Sequence, residues 1–235
     1  MSDTTGLLIV YTKCNKTSEE AEWSAWYDDV HLPDLFASGN GPTVATRWEL
    51  RHKPVLGMPG LGFTNVTIYE FRGGDVAEQV ARLAPRVAEL REAGRIHPTH
   101  SVIDAHTFVA HGEHRDKPRP SPELRGHILA YVLSNDPRRE TEWTRWYDAE
   151  HIPDMMASGA FSAATRWERS PRLRYGTNYI TLYDVAHESV DTAVEMSAAV
   201  MPGLIAAGRK HPVHTGALTL TLVPCGKYGG AGFRG

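Results

Sequence analysis

The chain contains itself twice. Residues 22–39 read EWSAWYDDVHLPDLFASG and residues 142–159 read EWTRWYDAEHIPDMMASG, with eleven of the eighteen positions identical at an offset of 120. The match continues as ATRWE, Ala45–Glu49 against Ala164–Glu168, and resumes where Thr67–Glu70 (TIYE) faces Thr181–Asp184 (TLYD). It closes with AGRIHPTH (Ala93–His100) against AGRKHPVH (Ala207–His214). The offset drifts from 120 to 119 to 114, so the second copy lacks one residue near Asn40 and five near Pro54–Leu61, both Gly/Pro-rich stretches where loops tolerate length change. Matched blocks in the same order define an internal tandem repeat, and whatever one copy folds into must be built twice.

The repeat sets the expected organisation: a first unit over 1–110, a linker over 111–124, a second unit over 125–223 and a tail over 224–235. The linker, HGEHRDKPRPSPEL, is charged and Pro-rich with no apolar periodicity, which predicts a stiff extended connection. The tail beyond Pro224, CGKYGGAGFRG, carries five glycines in eleven residues. It is expected to be irregular, either a frayed end or a segment folded across a cavity.

Composition narrows the class. With 235 residues, 41% of them apolar and 23% charged, the chain has the make-up of a soluble globular protein. A formal charge of −3, with Lys and Arg scattered, argues against a nucleic-acid partner or a membrane surface. Leu7–Val10 is too short for a signal peptide, and no run approaches the ~20 apolar residues that span a bilayer. Cys14 and Cys225 fit no metal-ligand spacing and read as free thiols, so a cytoplasmic location is expected.

Within each copy, Leu7–Thr12 and His127–Val132 read as strands. A helix follows, opened by Thr17 with Glu20 as a capping box in the first copy and by Asp136-Pro137 in the second. It carries Trp23, Trp26, Tyr27 and Val30 as a buried stripe, and Pro33 predicts its end near His31. Thr43–His52 and Phe63–Phe71 read as strands, Asp75–Ala93 as one amphipathic helix, and Ser101–Val109 as the last strand. The order β-α-β-β-α-β is ferredoxin-like. The fold class expected is α+β: two tandem ferredoxin-like units packed sheet to sheet as a barrel, the chain acting as a pseudo-dimer by itself or as a homodimer of it.

The pattern W-x-x-W-Y-x-x-x-H-[LI]-P-D, then T-R-W-E, then [IL]-Y-[ED], resembles the dimeric α+β barrel superfamily, specifically its EthD-like branch. The likeness covers both copies apart from the linker and tail. Members of that superfamily share a fold and not a chemistry: they include muconolactone isomerases, cofactor-free monooxygenases, polyketide cyclases and haem-degrading proteins. The resemblance implies a small, mostly apolar cavity between each helix layer and its sheet, holding a small hydrophobic or aromatic substrate.

His31 and His151 are the first candidates for chemistry. Each stands four residues after Tyr27 or Tyr147, at an expected helix C-terminus whose dipole favours imidazolium while burial opposes it. Such a histidine would titrate near neutrality and move protons in either direction. Asp34 and Asp154 either cap the next turn or orient the histidine. Arg47 and Arg166 either reach into the cavity to hold a substrate oxygen or pair on the solvent face. Trp23, Trp26, Trp143 and Trp146 are core or cavity wall, and Tyr69 and Tyr183 are similar. His97 and His211 are candidate pocket residues. With His100, His214 and His31 or His151 they offer three imidazoles, yet H-P-x-H is an uncommon ligand spacing and no metal is expected. No G-x-S-x-G, P-loop or Rossmann fingerprint occurs.

These readings converge on a cofactor-independent enzyme, an isomerase, dehydratase or other lyase, doing His-mediated proton transfer on a small hydrophobic carbonyl, lactone or aromatic compound. A cofactor-free monooxygenase and a non-catalytic small-molecule or haem-binding protein are the alternatives.

Overall fold

The computed structural model describes residues 4–37, 39, 41–52, 61–111, 124–185, 187–230 and 232–234. Most of the expected linker, 112–123, lies outside them. The fold is α+β, with its eight strands forming a closed barrel. Two compact units divide the chain: Asp3–Val109 with Val223–Gly235, and Ala110–Leu222.

The first copy runs β1 (Thr4–Cys14), α1 (Glu20–Trp26), a π-helical turn (Tyr27–His31), α2 (Leu32–Phe36), β2 (Val44–Leu50), β3 (Asn65–Arg72), α3 (Val76–Ala81), α4 (Leu83–Glu92) and β4 (His100–His111). The second runs β5 (Gly126–Ser134), α5 (Glu140–Trp146), a π-helical turn (Tyr147–His151), α6 (Ile152–Ala157), β6 (Ala163–Arg169), β7 (Tyr179–Val185), α7 (Val190–Ala206) and β8 (His214–Pro224). In the first copy β1 lies between β3 and β4, and β2 pairs with β3, all antiparallel. In the second, β5 lies between β7 and β8, and β6 pairs with β7. Registers correspond: Arg47 faces Thr67 across β2–β3, and Arg166 faces Thr181 across β6–β7.

Pro33 does not end the first helix. Leu32 N–H donates to the carbonyl of Tyr27 five residues back, and Ile152 does the same to Tyr147. A proline ring collides with the carbonyl four residues before it and brings no N–H. The widened turn just ahead of Pro33 and Pro153 accommodates both defects, and the helix continues as α2 or α6. His31 and His151 therefore sit inside a helical run and not at a negative helix end.

Two further expectations are corrected. The Thr17 capping box is absent: Thr17–Glu19 forms a 3-10 turn, and no side chain caps it or α1. Asp136 does cap its own 3-10 turn, accepting from Arg138 N–H at 3.1 Å. The expected helix over Asp75–Ala93 breaks at Arg82, and Pro85 sits in the first turn of α4, where a missing N–H costs no intrahelical bond. Asp75 caps α3 through Glu78 N–H at 3.0 Å. In the second copy the same region, α7, is unbroken and capped by Ser189.

Candidate active site

In the first copy Trp23, Trp26, Tyr27 and His31 come from the helix and turn over the sheet, and His100 rises to meet them from the first position of β4. The His97-Pro98 turn sets His100, whose N–H returns to the His97 carbonyl at 3.0 Å. The His31 ring centroid lies 4.7 Å from Tyr27, 5.0 Å from Trp26 and 5.7 Å from His100. Trp23 Nε1–H donates to His100 Nδ1 at 3.1 Å, and Trp26 Nε1–H donates to the Arg95 carbonyl at 2.8 Å. The second copy repeats every part. His151 lies 4.6 Å from Tyr147, 5.3 Å from Trp146 and 5.3 Å from His214, with Trp143 donating to His214 Nδ1 at 3.2 Å.

Burial makes these imidazoles neutral. It is the largest cause of the depression of His31 and His151 to about 3, with the neighbouring His100 and His214 adding to it. His100 and His214 fall to about 4, again first by burial. No helix C-terminus offsets this, so the expected titration near neutrality does not occur. His31 Nδ1 is buried with no hydrogen-bond partner.

Beneath the imidazoles lies a buried ion pair. Arg47 Nη1 meets Asp28 Oδ1 at 2.7 Å and also donates to the Ser24 carbonyl at 3.0 Å. Its guanidinium stands 4.5 Å over the Tyr27 ring. Arg166 repeats this with Asp148 at 2.9 Å and Tyr147 at 4.5 Å. Both arginines are fully buried, so neither is a solvent-face salt bridge. The Tyr27 hydroxyl accepts from Thr67 at 3.0 Å and shares a 3.2 Å hydrogen bond with Tyr69. Burial raises the Tyr27 and Tyr147 pKa values, keeping the phenols protonated.

Asp34 and Asp154 do not contact the histidines through hydrogen bonds. Each forms a two-pronged pair, Asp34 with Arg95 (2.5 and 3.0 Å) and Asp154 with Arg209 (2.8 and 2.9 Å). The carbonyls of those same arginines receive the Trp26 and Trp146 indoles, so the aspartates position the tryptophans. His97 and His211 are buried against Trp26 and Trp146, at 5.7 and 5.4 Å. Among the described residues no group of three His, Cys, Asp or Glu is placed to hold a metal ion.

The sequence reading passed over Asp28 and Asp148, although the repeat keeps both, and it missed how the tail completes the first site. Lys227 N–H donates to Asp28 Oδ2 at 2.6 Å, Cys225 N–H donates to the Arg47 carbonyl at 3.1 Å, and Phe233 exchanges backbone bonds with Ala45 at 2.7 and 3.0 Å. Gly226, at φ +60°, lies so close to Arg47 Nη1 and Asp28 Oδ2 that a Cβ would collide with them. At the equivalent place in the second unit stands His111, paired with Glu168 at 3.1 Å and packed 5.0 Å from Tyr179. There Arg166 keeps Nε and Nη2 buried without partners.

Trp23, Tyr27, Trp143, Tyr147 and both arginines are buried in the layer between helix and sheet. An open cleft of about 580 Å³ lies beside α5, bordered by Trp146 and His211.

The closed eight-stranded α+β barrel is shared with solved structures: a haem-binding protein from Thermus thermophilus (TM-score 0.56, 6% identity, covering 94% of this chain and 91% of that one); a mutant chlorite dismutase from Candidatus Nitrospira defluvii in complex with cyanide (0.55, 11%, 96% and 92%); and a proposed monooxygenase from Lactobacillus acidophilus (0.51, 11%, 98% and 100%). At these identities the likeness is one of fold. No protein-family model matches the chain, and no curated protein does. Among the described residues no helix is long and apolar enough to cross a membrane.

Proposed function

We propose that the chain is a cofactor-independent enzyme that takes a proton from a small oxygenated organic compound, with the neutral imidazoles of His31 and His151 as acceptors. The observation that carries this reading is His31 itself: an imidazole held in its basic form by burial, with Nδ1 facing no partner, beside a phenol and a guanidinium. A lone imidazolium is disfavoured there. An imidazolium formed together with a substrate enolate or phenolate is not disfavoured to the same degree, because each charge compensates the other.

In this reading a C–H beside a carbonyl, or an acidic O–H, gives its proton to the imidazole. The Tyr27 or Tyr147 hydroxyl and the Arg47 or Arg166 guanidinium stabilise the resulting oxyanion. Return of the proton to another carbon is isomerisation, and its delivery to a departing hydroxyl is dehydration. Trp23, Trp26, Trp143 and Trp146 exclude water, while Asp34 and Asp154 hold Trp26 and Trp146 in place through Arg95 and Arg209. Deprotonation would equally open a cofactor-free oxygenation, and a proposed monooxygenase is among the structures of similar fold. The two copies are taken as fused EthD-like subunits.

Haem is named for one of the similar structures, and a non-catalytic small-molecule or haem-binding protein is the second reading.

The test is carbon-bound hydrogen exchange in D2O, read by NMR, on a panel of cyclic ketones and lactones. The full chain should accelerate exchange, the His31→Gln, His151→Gln double variant should not, and the acceleration should stay flat down to about pH 4. Equal exchange by both proteins would sink the assignment.

A further inference from the structure

The arginines that border the cleft beside α5 have no basic counterparts at the matching positions of the first copy. Arg138, Arg139, Arg145, Trp146, Glu142 and His211 border it, together with Glu150. At the matching positions the first copy has Ser18, Glu19 and Ala25 in place of the three arginines, keeps Glu22 for Glu142, and has Asp29 and Val30 for Ala149 and Glu150. One rim thus holds three guanidiniums against two carboxylates, whereas the matching positions of the other hold three carboxylates, of which Glu19 and Asp29 pair with Lys16 and Lys227 from outside those positions. Nothing in the shared helix requires this difference, since α1 and α5 have equal length and carry the same Trp-x-x-Trp-Tyr face inward.

The arginines are not equally engaged. Arg138 is bound to Asp136 by two hydrogen bonds, and Arg139 is bound in the same way to Glu142. The buried His211 donates from Nε2 to Glu142 too, at 3.1 Å. Arg145 is exposed and makes no hydrogen bond or ion pair with the described residues. Trp146, whose indole N–H is occupied by the Arg209 carbonyl, belongs to both the cleft and the imidazole cluster: its ring lies 5.3 Å from His151 and it borders the cleft.

We propose that this cleft is a binding site for a small aromatic carboxylate, unique to the second copy, with Arg145 receiving the carboxylate and Trp146 receiving the ring. A volume of about 580 Å³ falls within the ~300–1,000 Å³ usual for small-molecule sites. A free guanidinium recognises a carboxylate through two parallel hydrogen bonds, and a fixed indole gives a flat apolar surface beside it. The inference deepens the reading of His151 as the reacting base and rests on it, since Trp146 packs against His151 and also lines the cleft.

The experiment is calorimetric titration of the full chain with benzoate, with acetate as the second probe. One benzoate per chain is expected, with binding weakened about tenfold or more in Arg145→Ala and unchanged in Glu19→Gln on the first copy. Acetate should bind at least about tenfold more weakly than benzoate. Absence of saturable benzoate binding, two equal sites, insensitivity to Arg145→Ala, or equal binding of acetate would each overturn the proposal. His151→Gln should leave benzoate binding intact. Lost exchange activity with retained binding, or the reverse, therefore separates a failure of the proton-transfer reading from a failure of this site.

Discussion

Lys227 lends its backbone N–H to the carboxylate of Asp28 across 2.6 Å and 199 positions of sequence. That bond ties the last residues of the chain to the ion pair at the centre of the first copy. Removal of residues 225–235 should lower unfolding free energy by about 2–4 kcal/mol, since it deletes several backbone hydrogen bonds and the Phe36–Phe233 contact. Urea denaturation measures it, and a midpoint equal to that of the full chain would show the tail to be passive.

Gly226→Ala tests the same closure with one methyl group. The position has φ +60° and no room for a Cβ, so the variant should be destabilised although alanine is ordinarily neutral at exposed sites. Gly208→Ala, at φ +69° with nothing within 4 Å, carries only the backbone strain and should cost less. Thermal melts of the two, side by side, check the order.

Arg47→Ala should cost about 3–5 kcal/mol, because it strands Asp28 as a buried charge. The double variant Arg47→Ala, Asp28→Ala should recover part of that loss. A double variant as unstable as the sum of the two singles would mean the pair is not coupled.

Acid should weaken the fold well above the carboxylate range. His31 and His151 are depressed to about 3, and His100 and His214 to about 4, whereas the unfolded chain titrates its histidines near 6.5. The unfolded state binds more protons in that window. The stabilisation is complete above about pH 6.5 and is lost as pH falls towards 3, by up to about 1.4 kcal/mol per pH unit for each histidine. Melting temperatures from pH 7.5 to 4 should fall steeply, and His31→Gln should make the fall shallower. An unchanged slope in that variant would show that His31 is already charged in the folded chain.

The repeat made the architecture legible. A strand or helix pattern met twice, in the same order and with gaps only at Gly/Pro-rich stretches, leaves little freedom of assignment. The Trp-Trp-Tyr-His set was legible for the same reason, and the structure brings all four together in each copy. The aspartate beneath each arginine was not, because its partner lies on another element and nothing local marks the pair. The tail was hidden more deeply: a glycine-rich segment has no periodicity to read, and its fit depends on a residue without a Cβ lying against Arg47. The proline rule failed at Pro33 and Pro153 because a change in hydrogen-bond spacing leaves no residue signature of its own.

That wide turn also fixes the azimuth of the reacting imidazole. Each residue advances a helix by about 100°, so the surplus residue in Tyr27–His31 re-phases everything after it against the Trp23 stripe. Deleting Asp29 alone would remove the surplus residue and swing His31 around the axis by about that angle. Which way the base faces is thus settled by a count of residues.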